Sequence, residues 1–519
     1  MRASCAAGLA ALLFCVMASM AHAQDVTLTS RDGRTEILGT LLGFDGEFYR
    51  LDTLYGELTV DGSGVTCAGP GCPNLQDFVA EVAISGAATM GAVLVPALLD
   101  GFAQRNGYLT QRIDRDETHF TYVFTDARTG KRVAVFHFRV TTSDEGFADL
   151  LADEADVVLS LREIRDEERT RAQDAGMGDL AAANRSYVLA LDALVPVVSP
   201  QNPIREISPL IAAWVFAGEI DNWVALGGPD APIDLHAPSA RTGLGQATED
   251  QLLAPAGLSM SERAAQYSRG TALSDHVAED PFAFGVTSYA EIGSAQPLVL
   301  KGACGRVLRA SRRSIKTEDY PLTAPMFLYT PARRLPKIAR EFLVFTRSAA
   351  AQIVIRRAGF VDQAVEEVPV SVQGDRLANA IAAAGPEVAL TELQRMVDRL
   401  EPMQRLTTTF RFEAGSTRLD AQSRSNLVQL VARLAQGRYD ARQLYFIGFS
   451  DGNGPAEVNR QLSLERAEAV RDAVLEMAEA ADLSQVRVAV DAFGEALPIA
   501  CDESAWGRQA NRRVEVWLR

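Results

Sequence analysis

The sequence has few of the features that mark membrane-spanning proteins. After the first 23 residues, no apolar run approaches the ~20 residues that a spanning helix needs. The closest candidate, 84–99, contains Gly, Thr and Pro and is followed by Asp100. This segment predicts the end of a buried strand and a core helix.

Histidine is scarce, which bears on catalysis. The chain has five histidines and none follows His276. Residues 448–452 match the G-x-S-x-G pattern of serine hydrolases, but such an enzyme needs a histidine later in the chain. No Walker loop, zinc signature or dinucleotide fingerprint occurs. We therefore predict that the protein is not an enzyme and has no metal site and no cofactor.

Positive charge is also in deficit. The 51 Lys and Arg residues face 67 Asp and Glu residues, a formal net charge of −16. An acidic chain of this kind is not expected to bind nucleic acid. A small anion is still a suitable ligand, because a few backbone amides and one arginine can bind it locally.

The first 23 residues predict a secretory signal peptide. Arg2 precedes an apolar run from Ala6 to Met20, and small residues at Ala21 and Ala23 suit a cleavage site before Gln24. The mature protein is therefore expected to be exported, and we predict a periplasmic location.

Only six cysteines occur, and two of them lie in the predicted signal peptide. Cys67 and Cys72 flank the turn 68–71, which predicts a local disulfide in an oxidising compartment. Cys304 and Cys501 lie in different predicted domains. They either pair across an interface or remain free.

The 519 residues predict a multidomain chain with about three globular units. Short β-rich runs separated by Asp-Gly and Gly-Ser-Gly turns predict a small N-terminal β domain, and alternating strands and helices then predict an α/β domain with a mainly parallel sheet. A helix-rich stretch and an α+β sandwich follow. The predicted boundaries are 1–23 for the signal peptide, 24–76 for the β domain, 78–370 for the α/β domain, 371–405 for a helical linker and 406–519 for the C-terminal domain.

Three strand-to-helix junctions in the α/β segment carry small and hydroxyl residues: 85–90, 156–162 and 239–243. Free backbone amides at a helix start, together with the helix dipole, favour an anion there. The same residues also cap helices for structural reasons alone. Two of the three junctions include an arginine, which favours an anion site.

Residues 80–365 resemble the phosphate-type (PstS-like) periplasmic substrate-binding proteins of ABC importers. The resemblance is carried, in family order, by 85–98, 155–168, 189–204, 215–228, 280–292 and 320–330. It implies two α/β lobes that close over one oxyanion, and an ABC permease as partner. The implied oxyanion-binding residues are Thr89, Ser160, Arg162, Thr242 and Gly243, with Arg241 beside them. Leu244 replaces the usual Thr of the third loop, and these loops lack the carboxylate that accepts the proton of hydrogen phosphate in the best-known members. The predicted ligand is therefore a small phosphate-like oxyanion, and phosphate itself stays one of the candidates.

Arg466 lies in the apolar face of a helix predicted from Ala456 to Ala478. A guanidinium keeps its proton and is rarely buried unpaired. The fold must therefore supply a carboxylate or leave a pocket where a ligand supplies one. Asp451, after the preceding strand, is the nearest acid that a tight turn can aim at it. The other elements predicted here are strands 407–412, 443–449, 486–493 and 512–518 and a helix 421–435.

Residues 405–519 resemble the OmpA-like peptidoglycan-binding domain. The matching residues are Ser450-Asp451, Asn459, Leu462-Ser463, Arg466-Ala467 and Asn511 to Glu515. The resemblance implies that Asp451 and Arg466 hold the ammonium and carboxylate of the diaminopimelate residue in the peptide stem, and it adds Asn459 and Arg512 to the site. Phe449-Ser450 stands where the family commonly has His-Thr.

These observations predict a periplasmic oxyanion-binding protein that is moored non-covalently to peptidoglycan, and so associated with the cell wall and outer membrane. The alternative is a wall-associated scaffold whose binding-protein domain has lost its ligand.

Overall fold

A computed structural model describes residues 25–519 apart from 76, 183, 383, 386, 414–415 and 479–485. The predicted signal peptide 1–23, with Cys5 and Cys15, lies outside the described residues. Among the described residues, no helix combines the length and apolar character that crossing a membrane requires.

The N-terminal residues form a five-stranded antiparallel sheet, in the order β4-β3-β2-β1-β5. The strands are β1 Val26–Ser30, β2 Glu36–Phe44, β3 Phe48–Thr53, β4 Gly56–Asp61 and β5 Val65–Ala68. Leu28 and Leu51 are buried in its small core. Cys67 and Cys72, the pair predicted from the turn between them, form a disulfide with Cα atoms 5.9 Å apart.

The middle domain is built on a mixed sheet, in the order β14-β13-β15-β11-β19-β10-β6-β9-β8-β7, with β16 paired to β11. The expectation of a mainly parallel sheet is wrong. The 13-residue strand β11 pairs antiparallel with β19 along its first part and with β15 along its second, so one strand joins both halves of the sheet. The strands are β6 Ala80–Ala87, β7 Tyr108–Asp114, β8 His119–Asp126, β9 Arg132–Thr141, β10 Val157–Ser160, β11 Ser186–Val198, β13 Asp234–Pro238, β14 Ala265–Tyr267, β15 Ala283–Ser288, β16 Gln296–Pro297 and β19 Thr323–Tyr329; β12 Glu206–Ile207, β17 Val299–Lys301 and β18 Val307–Leu308 form a separate small sheet.

Helices alternate with strands along the middle domain, as the sequence patterns predict. Segment 84–99 contains a strand end, a π-helical turn Met90–Leu94 and the start of the first α-helix, as predicted. The helices are α1 Val95–Asn106, α2 Ser143–Leu151, α3 Asp166–Asp174, α4 Pro209–Ala217, α5 Gly243–Thr248, α6 Gly270–Glu279, α7 Arg312–Lys316, α8 Lys337–Thr346 and α9 Ala349–Arg357.

The N-terminal sheet is held to the middle domain by ion pairs at the start of α8. Arg334 Nε lies 2.5 Å from Asp45 Oδ2, and Arg340 Nη2 lies 2.6 Å from Glu47 Oε2. Hydrogen bonds from Arg340 and Lys337 lower the pKa of Glu47 to about 2. The N-terminal sheet therefore packs against its neighbour.

The C-terminal sheet has five strands, in the order β20-β21-β24-β22-β23. The edge strand β20 belongs to this sheet, because its backbone pairs with β21. It lies within 78–370, the segment that was predicted as the middle domain. A short helix, α14, lies in a stretch where the sequence patterns indicated none. The elements are β20 Glu367–Pro369, β21 Gln404–Phe410, α12 Ala421–Ala435, β22 Gln443–Phe449, α13 Ala456–Met477, β23 Arg487–Ala492, α14 Ala505–Asn511 and β24 Arg513–Leu518.

The segment predicted as a helical linker contains α10 Gly374–Ala382 and α11 Leu390–Leu400. Leu393, Met396 and Leu400 recur at helical spacing, and all three are buried against the C-terminal sheet. Helices α12 and α13 cover the other face of that sheet. Its three central strands β21, β24 and β22 are therefore buried on both faces, and the linker helices form part of this packing.

The middle and C-terminal domains are in close contact. Cys304 and Cys501 form a disulfide with Cα atoms 5.7 Å apart, which decides between the two alternatives for this pair. Arg405, 2% exposed, binds both carboxylate oxygens of Asp319 at 2.7 and 2.9 Å. The contact therefore combines a covalent link with a buried ion pair.

Candidate functional site

The C-terminal candidate site lies where β22 ends and α13 begins. Gly448 approaches the helix so closely that a Cβ atom would lie 1.9 Å from the backbone oxygen of Ser463. Ser463 Oγ in turn accepts a hydrogen bond from the Gly494 N–H at 3.2 Å. These contacts fix the turn after the strand, in which Ser450 and Asp451 are both buried.

Arg466, on the buried side of α13, is 5% exposed. Its Nε and Nη1 atoms are buried and have no hydrogen-bond partner among the described residues, and Ser450 Oγ is in the same state. The guanidinium carbon lies 5.4 Å from the centroid of the Phe412 ring. Burial and repulsion from Arg512 lower the pKa of Arg466, while attraction to Asp451 opposes that shift. Arg466 is thus a buried cation with unused donors.

Asp451 does not pair with Arg466, so the fold does not supply this carboxylate to the guanidinium, which was one of the two alternatives that the sequence left open. Its Oδ2 accepts a hydrogen bond at 2.6 Å from Nη1 of Arg512, which directly follows α14. The sequence patterns predict no helix at Ala505–Asn511, so they do not place Arg512 as the competing partner of Asp451. The structure therefore brings Asp451, Arg466 and Arg512 together, with the ion pair between the first and the last.

Asn459 lies near the start of α13 and is engaged within the protein. Its Nδ2 donates to Glu495 Oε2 at 2.7 Å and to the Gly454 oxygen at 3.3 Å. This side chain therefore fixes the loop before the helix, and any contact with a ligand would be added to that role.

Asn511 and Asp502 were missed as positioning residues. Asn511 Oδ1 accepts from the N–H groups of Ile499 and Ala500, and its Nδ2 donates to Asp502 Oδ1 at 2.8 Å. Asp502 Oδ2 accepts from the Gly452 N–H at 2.9 Å. Together they fix the loop beside Asp451. Asn511 belongs to the matching block and could have been inferred, whereas nothing in the sequence pointed to Asp502.

The middle-domain candidate site is centred on the end of β10, where Arg162 is held by two carboxylates. Arg162 Nη2 lies 2.6 Å from Glu168 Oε1 and is also hydrogen-bonded to Asp144. Burial opposes its charge, but these two partners outweigh burial and raise the pKa of Arg162. Ser160 Oγ donates to the Arg162 backbone oxygen at 2.7 Å. Both predicted groups therefore have partners within the protein.

The structure brings the third predicted loop against the first. A Cβ atom on Gly243 would lie 2.7 Å from Ala87 Cβ, so the two loops touch. Thr242 caps α5: its Oγ1 accepts from the Gly245 N–H at 3.1 Å and donates to the Ser239 oxygen at 2.8 Å. Thr89 precedes the π-helical turn and forms no capping hydrogen bond through its side chain. Arg241 is exposed.

A fourth helix start, that of α2, was missed at this site. Ser143 Oγ accepts from the Leu161 N–H at 3.1 Å, which brings α2 beside the Arg162 loop. The N–H groups of Ser143 and Asp144 both donate to Gln246 Oε1, at 2.9 and 3.3 Å. A protein amide oxygen therefore occupies the place at this helix start where an anion would bind. The sequence signal for this helix start is the run Thr142 to Glu145, which follows a strand and matches the capping-box pattern.

Comparison with known proteins gives two family matches. Residues 79–350 match the PBP superfamily domain, and residues 411–512 match the OmpA family. A curated relative, "Phosphate-binding protein PstS" of Borreliella burgdorferi, is 23% identical over 201 residues, 37% of this chain and 70% of the relative. "Probable lipoprotein YiaD" of Escherichia coli is 31% identical over 107 residues, 21% of this chain and 46% of the relative.

Two solved structures are similar to parts of the chain. One is an ABC-type phosphate transport receptor from Vibrio cholerae, with a TM-score of 0.41 and 19% identity, covering 54% of this chain and 99% of the receptor. The other is the peptidoglycan-associated lipoprotein from Burkholderia pseudomallei, with a TM-score of 0.19 and 25% identity, covering 22% of this chain and 90% of the lipoprotein.

Proposed function

The chain belongs to the PBP superfamily and carries a domain of the OmpA family, and from this premise we propose that it is a periplasmic envelope protein that binds peptidoglycan non-covalently through its C-terminal domain. The observation that carries the proposal is Arg466, a buried guanidinium with two nitrogen atoms that lack partners among the described residues.

Leaving Arg466 in this state is costly. A buried donor without a partner costs about 1–3 kcal/mol, and more when it is charged. The cost is recovered if a ligand carboxylate binds the guanidinium, because such charge-assisted bonds are among the stronger ones in proteins. The buried Ser450 hydroxyl is a further group that the same ligand can engage.

The ligand chemistry follows from the charges. Diaminopimelate presents an ammonium and a carboxylate on one tetrahedral carbon, so its site needs an anion beside a cation. Arg512 donates a hydrogen bond to Asp451 Oδ2, while Asp451 Oδ1 has no hydrogen bond in the described part of the chain. We therefore assign the carboxylate of the stem peptide to Arg466 and its ammonium to Asp451. Arg512, whose side chain is 32% exposed, lies at the rim.

Co-sedimentation of the purified full chain with peptidoglycan sacculi tests the proposal. Arg466→Ala should reduce binding at least tenfold, since one lost charge-assisted contact is worth about 1.4 kcal/mol or more. The matched control is Arg460→Ala, which removes a half-buried arginine of the same helix that is paired with Glu457. Circular dichroism must show that both variants are folded. Wild-type binding by folded Arg466→Ala would refute the proposal.

For the middle domain, the geometry favours the scaffold alternative over oxyanion capture. Arg162 is bound by Asp144 and Glu168, and Gln246 fills the start of α2. An oxyanion could bind only after these contacts break, and that would cost part of its binding energy. We therefore propose that this domain serves chiefly as a scaffold, for which delivery to an ABC permease is not required.

A further inference from the structure

A cavity of about 590 Å³ lies between the middle domain and α12. The start of β11, the junction of α8 and α9, and residues 363–364 form one side, and α12 with the residues after it forms the other. The volume is typical of small-molecule sites, which span ~300–1,000 Å³. We call it the interdomain cavity. Its lining includes none of the residues assigned above to the two candidate sites.

The interdomain cavity is positively charged. Arg347, Arg424, Arg433 and Arg438 line it, and its described lining contains no aspartate or glutamate. This contrasts with the net charge of −16 for the whole chain. Charge of one sign in a partly enclosed space concentrates the electrostatic potential and attracts ions of the opposite sign.

Arg347 is an exposed arginine in this lining that a ligand can reach. Its guanidinium carbon lies 4.1 Å from the centroid of the Tyr187 ring, and no carboxylate of the described chain pairs with it. Arg424, by contrast, pairs with Glu163 at 2.5 Å and Glu413 at 3.6 Å. Burial lowers the pKa of Arg347, as expected for a cation without a counter-charge.

Neutral donors point to the same kind of ligand. Gln363 is 9% exposed; its Oε1 accepts from Gln429, while its Nε2 is buried without a partner among the described residues. Ser348 caps the nine-residue helix α9 by accepting from the Ala351 N–H, and Ser348 and Ala349 both line the cavity. The remaining amides of this helix start and the helix dipole favour an anion.

We propose that the interdomain cavity binds a small organic molecule that carries a phosphate or carboxylate group. Arg347 supplies the charged donor, and Gln363 Nε2 and the start of α9 supply neutral ones. Tyr187, Val188 and Val428 offer an apolar wall for the rest of the molecule. This inference rests on residues that the peptidoglycan proposal does not use, so either can fail alone.

Isothermal titration calorimetry of the full chain tests this site. Phenyl phosphate and benzoate distinguish a preference for phosphate from a preference for carboxylate, and benzylammonium is the control with the opposite charge. We expect at least one of the two anions to bind and benzylammonium not to bind. Arg347→Gln should weaken anion binding at least tenfold. Arg438→Gln, at an exposed position, is a second variant and should weaken binding several-fold.

The matched control is Arg357→Gln, which removes an exposed arginine from the far end of α9. It should bind the anion as the wild type does. The proposal is overturned if neither anion binds, if benzylammonium binds equally well, or if Arg347→Gln and Arg357→Gln have the same affinity.

Discussion

Two arginines with largely buried side chains mark the two candidate sites, and they differ in the groups that surround them. Arg162 is held by Glu168 and Asp144, and its pKa is raised despite burial. In the described part of the chain Arg466 has no carboxylate bonded to it, and burial together with repulsion from Arg512 lowers its pKa. The same residue type therefore completes an internal network in one domain and leaves unused donors in the other. A partner count, rather than residue identity, distinguishes a structural arginine from one available to a ligand.

The largest expected difference concerns stability. Arg162→Met leaves Glu168 without its cation, while Asp144 keeps its ion pair with Arg165, and should lower the free energy of unfolding by ~2 kcal/mol. Arg466→Met removes donors that have no partner, so it should leave that free energy unchanged within ~1 kcal/mol or raise it. Urea unfolding of both variants, followed by circular dichroism, measures the difference. Equal losses would contradict the contrast between the two arginines.

The second prediction asks whether Arg162 binds an anion once its two carboxylate partners are removed, which would leave it without bonded carboxylates, like Arg466. Asp144→Asn with Glu168→Gln removes both negative partners of Arg162 while keeping their shapes. We expect 10 mM inorganic phosphate to raise the melting temperature of this double variant by a few degrees, because one kcal/mol shifts a domain of this size by about 2–4 °C. In the wild type we expect no stabilisation that depends on Arg162.

Two additional variants complete this test. Arg162→Gln in the double-variant background should abolish the phosphate effect. If phosphate stabilises the wild type and Arg162→Gln removes that effect, oxyanion capture through Thr89, Ser160, Arg162, Arg241, Thr242 and Gly243 replaces the scaffold proposal for this domain.

Local elements were well predicted from the sequence. The spans of α12 and β22 match the predicted ones because their apolar spacing is regular and their ends carry clear signals. The sheet of the middle domain was not predicted correctly, since strand direction depends on pairing between segments far apart in sequence. The Cys304–Cys501 disulfide was undecided for the same reason, since the two cysteines have a sequence separation of 197.

Prediction of the site is limited in the same way, because it also depends on contacts between segments far apart in sequence. Sequence motifs identified Arg466 and Arg162 but could not show which of them has partners. Asp144 and Gln246 occupy the middle-domain site from other helices, and Arg512 reaches Asp451 across 61 residues of sequence. Competing partners of this kind are tertiary features, so motif spacing alone does not show whether a site is free.

The last prediction, with the smallest effect, tests how firmly the two domains are held together. Glu318, 8% exposed, lies at their contact, where Asn426 Nδ2 donates to its Oε1 at 3.2 Å and Arg411 binds its backbone oxygen. Burial raises the pKa of Glu318 to about 8 from an ordinary value of 4.5; repulsion from Asp420 adds to this shift, and attraction to Arg411 opposes it.

Between these two pKa values the folded chain holds a proton at Glu318 that the unfolded chain has lost, so stability must fall as the pH rises toward 8 and the contribution of this group levels off above that. The slope has an upper bound of about 1.4 kcal/mol per pH unit for one group. Burial also raises the pKa of Glu291 in the middle domain, to about 7, so the interval from pH 7 to pH 8 isolates Glu318 best. Urea unfolding across that interval should show a loss on the order of 1 kcal/mol in the wild type and a smaller loss in Glu318→Gln. Glu291→Gln should keep most of the wild-type loss, because Glu291 is already about half deprotonated at pH 7. A wild-type slope in Glu318→Gln would show that the contact does not depend on this proton.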